Sequence, residues 1–97
     1  MHIISRKRLR EFWEYDSQSQ IALDEWYRRT KRLKVTNLAE LQQTFPHADL
    51  VGKCIVFNIG GNKYRLITKI DFLRQTVYIK FVLTHSEYDK DKWKAAC

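Results

Sequence analysis

Hydrophobic positions in the first part of the chain recur with the spacing of a helix. The chain opens with a short apolar stretch, residues 1–4, which predicts a strand at a sheet edge or beside a later strand. Ser5 follows, and serine commonly caps helices. Behind it the apolar residues recur three and four positions apart: Leu9, Phe12 and Trp13. This pattern predicts a first helix with one buried face.

Two further helices are predicted in the same way. Ser17 with Gln20 matches a capping box, in which each side chain bonds the backbone of the other residue. The helix behind it has a predicted buried stripe of Ala22, Leu23, Trp26, Tyr27, Thr30 and Leu33. Its outer face is basic, with Arg28, Arg29, Lys31, Arg32 and Lys34. Asn37 with Glu40 repeats the capping signal and predicts a short helix that ends before Pro46, because the residue preceding proline avoids the helical region.

The pattern changes from helical spacing to alternation after residue 52. Residues 53–59 are rich in β-branched and aromatic side chains, and Gly60-Gly61-Asn62 then predicts a tight hairpin turn. Residues 63–72 alternate, which places Lys63 and Arg65 on the same strand face. A second turn near residues 73–75 leads into a strand over 76–83. There, Val77, Ile79, Phe81 and Leu83 are expected on one face, and Tyr78, Lys80 and Val82 on the other.

A third capping box, Thr84 with Glu87, stands where the last strand ends and predicts a short C-terminal helix. His85, Tyr88 and Asp89 should share one side of it, because positions three and four apart are neighbours on a helix. The predicted fold class is therefore α+β: N-terminal helices packed on one face of an antiparallel sheet, with a short C-terminal helix. Residues 1–97 are expected to form a single domain.

The charge balance favours an anionic partner. The chain has 18 basic and 11 acidic residues, a net charge of +7 and a pI near 9.6. Nucleic acid is the leading candidate and an anionic membrane surface the second. No apolar run approaches the roughly 20 residues that span a bilayer. At the N-terminus charge follows the apolar residues, the wrong order for a signal peptide. The expected location is cytoplasmic.

The two cysteines give no sign of a metal site or a disulfide. Cys54 lies in an apolar strand and Cys97 is the last residue. Without metal-ligand spacing or a secretory context, both are expected to be ordinary thiols. The sequence predicts neither a metal nor another cofactor.

One constellation could carry chemistry. Lys63 and Arg65 are cations on one strand face, and Lys80 on the next strand shares that face if the register allows. A phosphodiester would supply the missing negative charge, and an arginine can clamp it with two parallel hydrogen bonds. His85 and Tyr88 follow at the end of the sheet as acid–base candidates. Metal-free RNA cleavage needs these parts: a base for the 2′-hydroxyl, a cation for the phosphate and an acid for the leaving 5′-oxygen.

Other interpretations fit the same residues. The basic strand face can simply be exposed to solvent. His85 can occupy the first helical position after the Thr84 cap without any role in chemistry, and Tyr88 can be a packing residue. A non-catalytic RNA- or ribosome-binding module would use phosphate contacts and stacking on aromatics, here Tyr64, Tyr78 and Trp93. A protein-interaction module would use the basic face of the second helix.

The residues over 56–65 and 78–89, including Gly60-Gly61-Asn62, Arg65 and Thr84-His85, resemble the HigB family of type II toxins within the RelE-like ribonuclease group. The start at residues 1–5 and Phe45-Pro46 fit as well. The resemblance implies a RelE-like fold and cleavage of mRNA, often on the translating ribosome. It also implies a companion antitoxin of the HigA-like, helix-turn-helix type.

The resemblance also assigns roles to residues. Arg65 would clamp the phosphate, Lys63 and Lys80 would support it, and His85 and Tyr88 would be the acid–base pair. The expected catalytic set is Arg65, His85, Tyr88 and Lys80, and the expected RNA-binding set is Lys63, Asn62, Lys69 and Tyr78. Some relatives have arginine at position 80, where lysine offers only a point charge. Which of His85 and Tyr88 is the base stays open.

Overall fold

The computed structural model describes residues 1–97 and places helices before most of the strands. Strand β1 (His2–Ile4) is followed by helix α1 (Arg6–Tyr15), a 3-10 turn (Ser17–Ser19), helix α2 (Gln20–Arg32) and helix α3 (Leu38–Thr44). Strands β2 (Asp49–Val51), β3 (Cys54–Ile59), β4 (Tyr64–Asp71) and β5 (Thr76–Thr84) come next. Helix α4 (His85–Asp89) and a 3-10 turn (Lys92–Ala96) complete the chain.

The five strands form one sheet in the order β1-β5-β4-β3-β2. Strand β1 pairs in parallel with β5, and all other pairs are antiparallel. The α+β architecture predicted from the sequence is confirmed, including the N-terminal strand. Strand β2 was not predicted, because its three residues are too few to show alternation and two of them are exposed. No helix is both long and apolar enough to cross a membrane.

Helices α1, α2 and α3 pack their apolar stripes on one face of the sheet. Fully or almost fully buried residues from both layers form this core: Leu9, Trp13, Leu23, Trp26 and Leu41 from the helices, and Ile55, Phe57, Leu66, Val77 and Ile79 from the strands. The Trp26 and Phe57 rings meet edge to face at 5.3 Å. The helical stripe predicted through Leu23, Trp26 and Thr30 is therefore confirmed.

Two of the four predicted helix caps are confirmed. Ser5 occupies the N-cap position of α1, but its side chain makes no capping hydrogen bond. The Asn37 side chain accepts a hydrogen bond from the Glu40 backbone N–H at 2.9 Å, and Thr84 with Glu87 forms a complete capping box. The prediction at Ser17 is wrong, because residues 17–19 form a 3-10 turn ahead of α2 and no side chain caps that helix. The Ser19 hydroxyl instead donates to the Asp16 carbonyl at 2.7 Å.

A β-bulge at Lys80 changes the predicted faces of β5. Ile67 pairs with Phe81 and the next residue, Thr68, pairs with Ile79, so Lys80 has no partner on β4. One extra residue inverts the alternation beyond it. Val77, Ile79 and Val82 consequently face the helices, whereas Phe81 and Leu83 pack on the opposite face. The expectation that the odd-numbered residues share one face throughout is wrong.

The sheet face opposite the helices is covered in part by the C-terminal segment, residues 85–97. Trp93 packs there against Cys54, Val56 and Ile67 in a second, smaller core. The prediction of two free thiols is wrong, because Cys54 and Cys97 form a disulfide with their Cα atoms 5.2 Å apart. These residues are 43 positions apart, and only the path of the chain over the sheet brings them together.

Candidate active site

Arg65 lies on the sheet face opposite the helices, in the second position of β4. It is only 8% exposed, and its Nη1 donates to the Tyr64 carbonyl at 3.1 Å. It takes part in none of the ion pairs of the molecule. A cation held out of water without a counter-charge is unfavourable. Arg65 is thus suited to an anion supplied from outside the chain.

Tyr88 on α4 covers the Arg65 guanidinium. The Arg65 Cζ atom lies 5.1 Å from the centroid of the Tyr88 ring, within the range of a cation–π interaction. On its other side the Tyr88 ring stacks on Trp93, with centroids 5.0 Å apart and planes at 16°. The Trp93 indole N–H also donates to the Tyr88 carbonyl at 2.9 Å. Arg65, Tyr88 and Trp93 form a stack that fixes the geometry at this end of the sheet.

The Arg65–Tyr88 pair opens onto a cleft of about 380 Å³. This volume lies within the range of small-ligand sites. Val56 and Asn58 of β3 line it with Arg65, and Gln42 of α3 also contributes. The connection from α3 to β2 contributes Pro46, His47 and Ala48, and Asp49 is the first residue of β2. The cleft therefore combines a cation, a phenol, an imidazole, two amides and the carboxylate of Asp49.

His47 is a candidate that the sequence patterns did not reveal. It is exposed in the connection from α3 to β2 and lines the same cleft as Arg65 and Tyr88. In the sequence it is a single histidine after a proline, outside any periodic segment, so no local signal marked it. Because β2 and β5 lie on opposite sides of β3 and β4, His47 and α4 approach the cleft from different sides.

His85 begins α4, as predicted, and its side chain is half exposed. Its Nε2 lies 3.2 Å from Oδ2 of Asp89, one helical turn later, which confirms the predicted shared side of these two residues. The carboxylate can orient the imidazole and leave Nδ1 free for proton transfer. His85 is not among the residues that line the Arg65 cleft. It lies one turn before Tyr88, near the hairpin, where its backbone N–H donates to the Lys63 carbonyl at 3.0 Å.

Lys80 does not converge with Arg65. The bulge directs it to a separate groove of about 410 Å³ between α1 and β5, which Arg8, Glu11 and Tyr15 also line. Arg8 donates to the Lys80 carbonyl there at 3.1 Å. The prediction that Lys80 shares a sheet face with Arg65 is therefore wrong. It required an unbroken register between β4 and β5, and the bulge interrupts that register at Lys80.

The expected RNA-binding residues occupy two places around the cleft. Asn62 and Lys63 are exposed in the turn before β4. Lys63 was expected within the strand, but β4 begins one residue later. Lys69 and Tyr78 are directly opposite each other on β4 and β5, on the same face as Arg65 and beyond the part that the C-terminal segment covers. Together they extend a partly exposed basic and aromatic surface along the sheet.

Comparisons with known proteins agree with this architecture. Residues 19–91 match the HigB_toxin family model, described as a RelE-like toxic component of a toxin-antitoxin system. The chain is similar to the mRNA interferase HigB of Escherichia coli O6:H1 (strain CFT073), at 32% identity over 93% of this chain and 90% of that protein. It is also 33% identical to the mRNA interferase toxin HigB of Escherichia coli K12, over 92% of this chain and 88% of that one.

Proposed function

The chain belongs to the HigB family of RelE-like toxins of toxin–antitoxin systems, and we propose that it acts as an endoribonuclease on mRNA. One observation carries the assignment of the site. Arg65 is buried, has no ion-pair partner and lines an open cleft. An RNA phosphodiester is the anion that would occupy this position, with the flanking nucleotides on the basic surface around it.

The reaction we propose needs no metal. The 2′-hydroxyl of one ribose loses its proton to a base and attacks the adjacent phosphorus, and the bond to the 5′-oxygen of the next nucleotide breaks. Arg65 stabilises the charge on the pentacoordinate phosphorus with its fork of N–H donors. An acid protonates the departing 5′-oxygen. The products are a 2′,3′-cyclic phosphate and a 5′-hydroxyl end.

The proton-transfer groups come from two sides of Arg65. In-line displacement places the attacking and leaving oxygens on opposite sides of the phosphorus, so base and acid are needed on opposite sides. His47 approaches from the β2 side and Tyr88 from α4, and both line the cleft. His85, oriented by Asp89, lies one turn before Tyr88 on α4. We assign one proton transfer to His47 and the other to the α4 pair His85 and Tyr88.

The surroundings of the cleft support the binding of a single strand. Asn62 and Lys63 lie near the start of α4, and Lys69 with Tyr78 continues the surface along the sheet. Cations that follow the backbone and an aromatic ring on which a base can stack are the usual elements of such sites. Lys80, in its separate groove, would contact RNA only beyond the cleft.

The toxin family also implies an antitoxin partner and an RNA substrate. We propose further that the substrate is mRNA on the translating ribosome, that the antitoxin is a HigA-like helix-turn-helix protein, and that the protein acts in the cytoplasm. We also propose that residues 1–97 act as one domain.

Cleavage of a defined single-stranded mRNA by the purified chain tests the function, with and without ribosomes. The expected products carry 2′,3′-cyclic phosphate and 5′-hydroxyl ends and form in the presence of a chelator. Arg65→Ala should lower the cleavage rate by about 10²–10³-fold, as expected for removal of a transition-state donor. Arg32→Ala, an exposed cation on the helix side, is the matched control and should cleave normally. Wild-type rates in Arg65→Ala would contradict the site.

Rates measured across pH separate the proton-transfer groups. His47→Ala, His85→Ala and Tyr88→Phe should each lower the rate by about 10²–10⁴-fold if the lost group transfers a proton. A loss of one limb of the pH–rate profile identifies a group that titrates in the working range. A variant with unchanged rate and profile takes no part. RNA binding without any cleaved product would favour the alternative of a non-catalytic RNA- or ribosome-binding module.

A further inference from the structure

The end of the chain is attached to the sheet beside the cleft. Cys54 is 0% exposed at the start of β3, and the disulfide joins it to Cys97, which is partly exposed. The Cys97 carbonyl accepts a hydrogen bond from the Lys53 N–H at 2.8 Å. A Cβ atom at Gly52 would lie 2.7 Å from the same Cys97 oxygen, so the turn before β3 accommodates this chain end closely.

This attachment is connected to Arg65 by direct contacts. Trp93 lies four residues before Cys97, is almost fully buried and packs on Cys54. Its ring stacks on Tyr88, and Tyr88 in turn covers Arg65. The 3-10 turn Lys92–Ala96 therefore has α4 at one end and the disulfide at the other. Trp93 is therefore held beside Tyr88 by two anchors, α4 on one side and the disulfide on the other.

We propose that Cys54 and Cys97 form a reversible thiol–disulfide site whose state controls the cleft. The co-reactant would be a low-molecular-weight disulfide, with glutathione disulfide as the probe. In the disulfide state the chain end is tied down and Tyr88 is held against Arg65. In the dithiol state the last turn keeps only its hydrogen bonds and packing, and Tyr88 is less well placed. The expected effect on RNA cleavage rests on the proposed function; the redox site itself does not.

The exposures of the two residues suggest the order of the steps, because Cys54 is fully buried and Cys97 is partly exposed. The thiolate of the partly exposed Cys97 attacks one sulfur of glutathione disulfide, forms a mixed disulfide and releases one glutathione thiolate. The Cys54 thiolate then attacks the Cys97 sulfur, forms the protein disulfide and releases the second glutathione. The protein loses two electrons and two protons, and glutathione disulfide gains them. Reduction by glutathione begins at Cys97 and runs through the same mixed disulfide.

The experiment places the full chain in buffers with defined ratios of glutathione to glutathione disulfide. Maleimide labelling in denaturant followed by mass measurement counts the thiols, and amide hydrogen exchange reports on residues 85–97. The disulfide form should label at no cysteine, the dithiol form at two, and exchange in residues 85–97 should be faster in the dithiol form. Equal exchange in both forms, or a pair that does not respond to the glutathione ratio, would overturn the proposal.

Cleavage of the same mRNA gives the functional readout. The dithiol form should cleave RNA about tenfold more slowly than the disulfide form. This effect is smaller than the roughly 10²-fold loss in rate that a 1 Å displacement of a catalytic group can cause. Cys97→Ser and Cys54→Ala should both cleave at the rate of the dithiol form in every buffer. Equal rates in both forms of an active enzyme would overturn the control of the cleft. If neither form cleaves RNA, the proposed function fails. The hydrogen-exchange measurement then decides by itself whether reduction of the disulfide loosens residues 85–97.

Discussion

Single side chains set the local chemistry on both faces of the sheet. Arg65 and Tyr64 are consecutive, and the pleat sends them to opposite faces. Arg65 enters the cleft, whereas Tyr64 enters the helical core and donates its hydroxyl proton to Asp16 Oδ1 at 2.9 Å. Burial, with contributions from the hydrogen bond and the charge of Asp16, raises the pKa of Tyr64 above its ordinary value. This hydrogen bond ties the junction of α1 and α2 to β4, next to the site.

Replacing Tyr64 should weaken the fold in a pH-dependent way. We expect Tyr64→Phe to lower the free energy of unfolding at pH 7 by about 1–2 kcal/mol, because a partly buried hydrogen bond to a carboxylate is lost. Because the pKa of Tyr64 is higher in the folded than in the unfolded state, the interactions of its protonated hydroxyl stabilise the fold fully below the ordinary tyrosine pKa of about 10. This stabilisation is lost as the pH rises through the folded-state pKa.

Urea denaturation at pH 7 and at alkaline pH measures this difference. The gap between wild type and Tyr64→Phe should shrink once the pH exceeds about 10. Tyr15→Phe alters a ring that is 84% exposed and should match wild type at both pH values. A gap that stays constant with pH would argue against the hydrogen bond as its cause.

Helix ends and the bulge determine where the chemistry-bearing residues point. The capping box at Thr84 starts α4 at the last residue of β5 and so fixes His85 and Tyr88 relative to the sheet. The bulge at Lys80 turns that lysine away from Arg65. Both features are local, but only the cap can be recognised from residue types, because a bulge depends on how two strands pair.

Removing two comparable helix caps should have different functional effects. Thr84→Ala and Asn37→Ala should each destabilise the fold by about 1 kcal/mol, the usual cost of losing a cap. Thr84→Ala should lower RNA cleavage more than Asn37→Ala, because Thr84 directly precedes His85 on α4, whereas Asn37 caps the N-terminal end of α3 and His47 follows its other end. Thermal unfolding and initial cleavage rates at a temperature where both variants are folded provide the comparison. Equal cleavage rates in the two variants would show that the α4 cap does not position the site.

The whole molecule is a basic body with two different sheet faces. One face is closed by helices, and the other has a small core under the C-terminal segment, the cleft, and the partly exposed surface around Lys69. The net charge of +7 attracts RNA to every side of the molecule. The position of the cleft predicts that the cations on its own side make the specific phosphate contacts.

Salt dependence of RNA binding tests which side is used. Lys63→Gln with Lys69→Gln removes two cations from the cleft side, and Lys31→Gln with Arg32→Gln removes two from the helix side, so both double variants have the same net charge. The plot of log affinity against log salt concentration should become less steep by about 1.4 only in the Lys63→Gln, Lys69→Gln variant. This value corresponds to roughly 0.7 for each lost contact with single-stranded RNA. Binding of a short RNA at several salt concentrations gives the slopes, and an equal loss in both variants would mean that RNA does not select the cleft side.

The disulfide should contribute to the stability of the whole fold as well as to the cleft. It joins residues 43 positions apart, and disulfides typically contribute about 2–4 kcal/mol to stability. Cys97→Ser should therefore lower the free energy of unfolding by about this amount relative to the oxidised wild type. The free energy of unfolding of Cys97→Ser should differ little from that of the reduced wild type. Urea denaturation in both redox states measures these values, and a midpoint that is the same in all samples would contradict the expectation.

Much of this protein follows from local rules that the sequence obeys. The helical stripe of α2, the caps at Asn37 and Thr84, the Gly60-Gly61 turn and the alternation of β4 each need only a few neighbouring residues. They were sufficient to predict the α+β fold, the position of Arg65 on β4 and the start of α4 at His85. The HigB family was indicated by the resemblance of the residues over 56–65 and 78–89. Side-chain periodicity, helix capping and turn geometry involve residues that are close in the sequence, and residue types therefore reveal them.

The remaining features depend on contacts between residues far apart in the chain. The pairing of β4 with β5 creates the bulge that separates Lys80 from Arg65, and the path of the α3–β2 connection brings His47 to the cleft. The return of the C-terminal segment over the sheet joins Cys97 to Cys54 and places Trp93 beneath Tyr88. No periodicity marks such contacts, because strand register and chain reversal are set by the packing of the complete core. The sequence supplied the side chains of the cleft, and packing determined which of them meet.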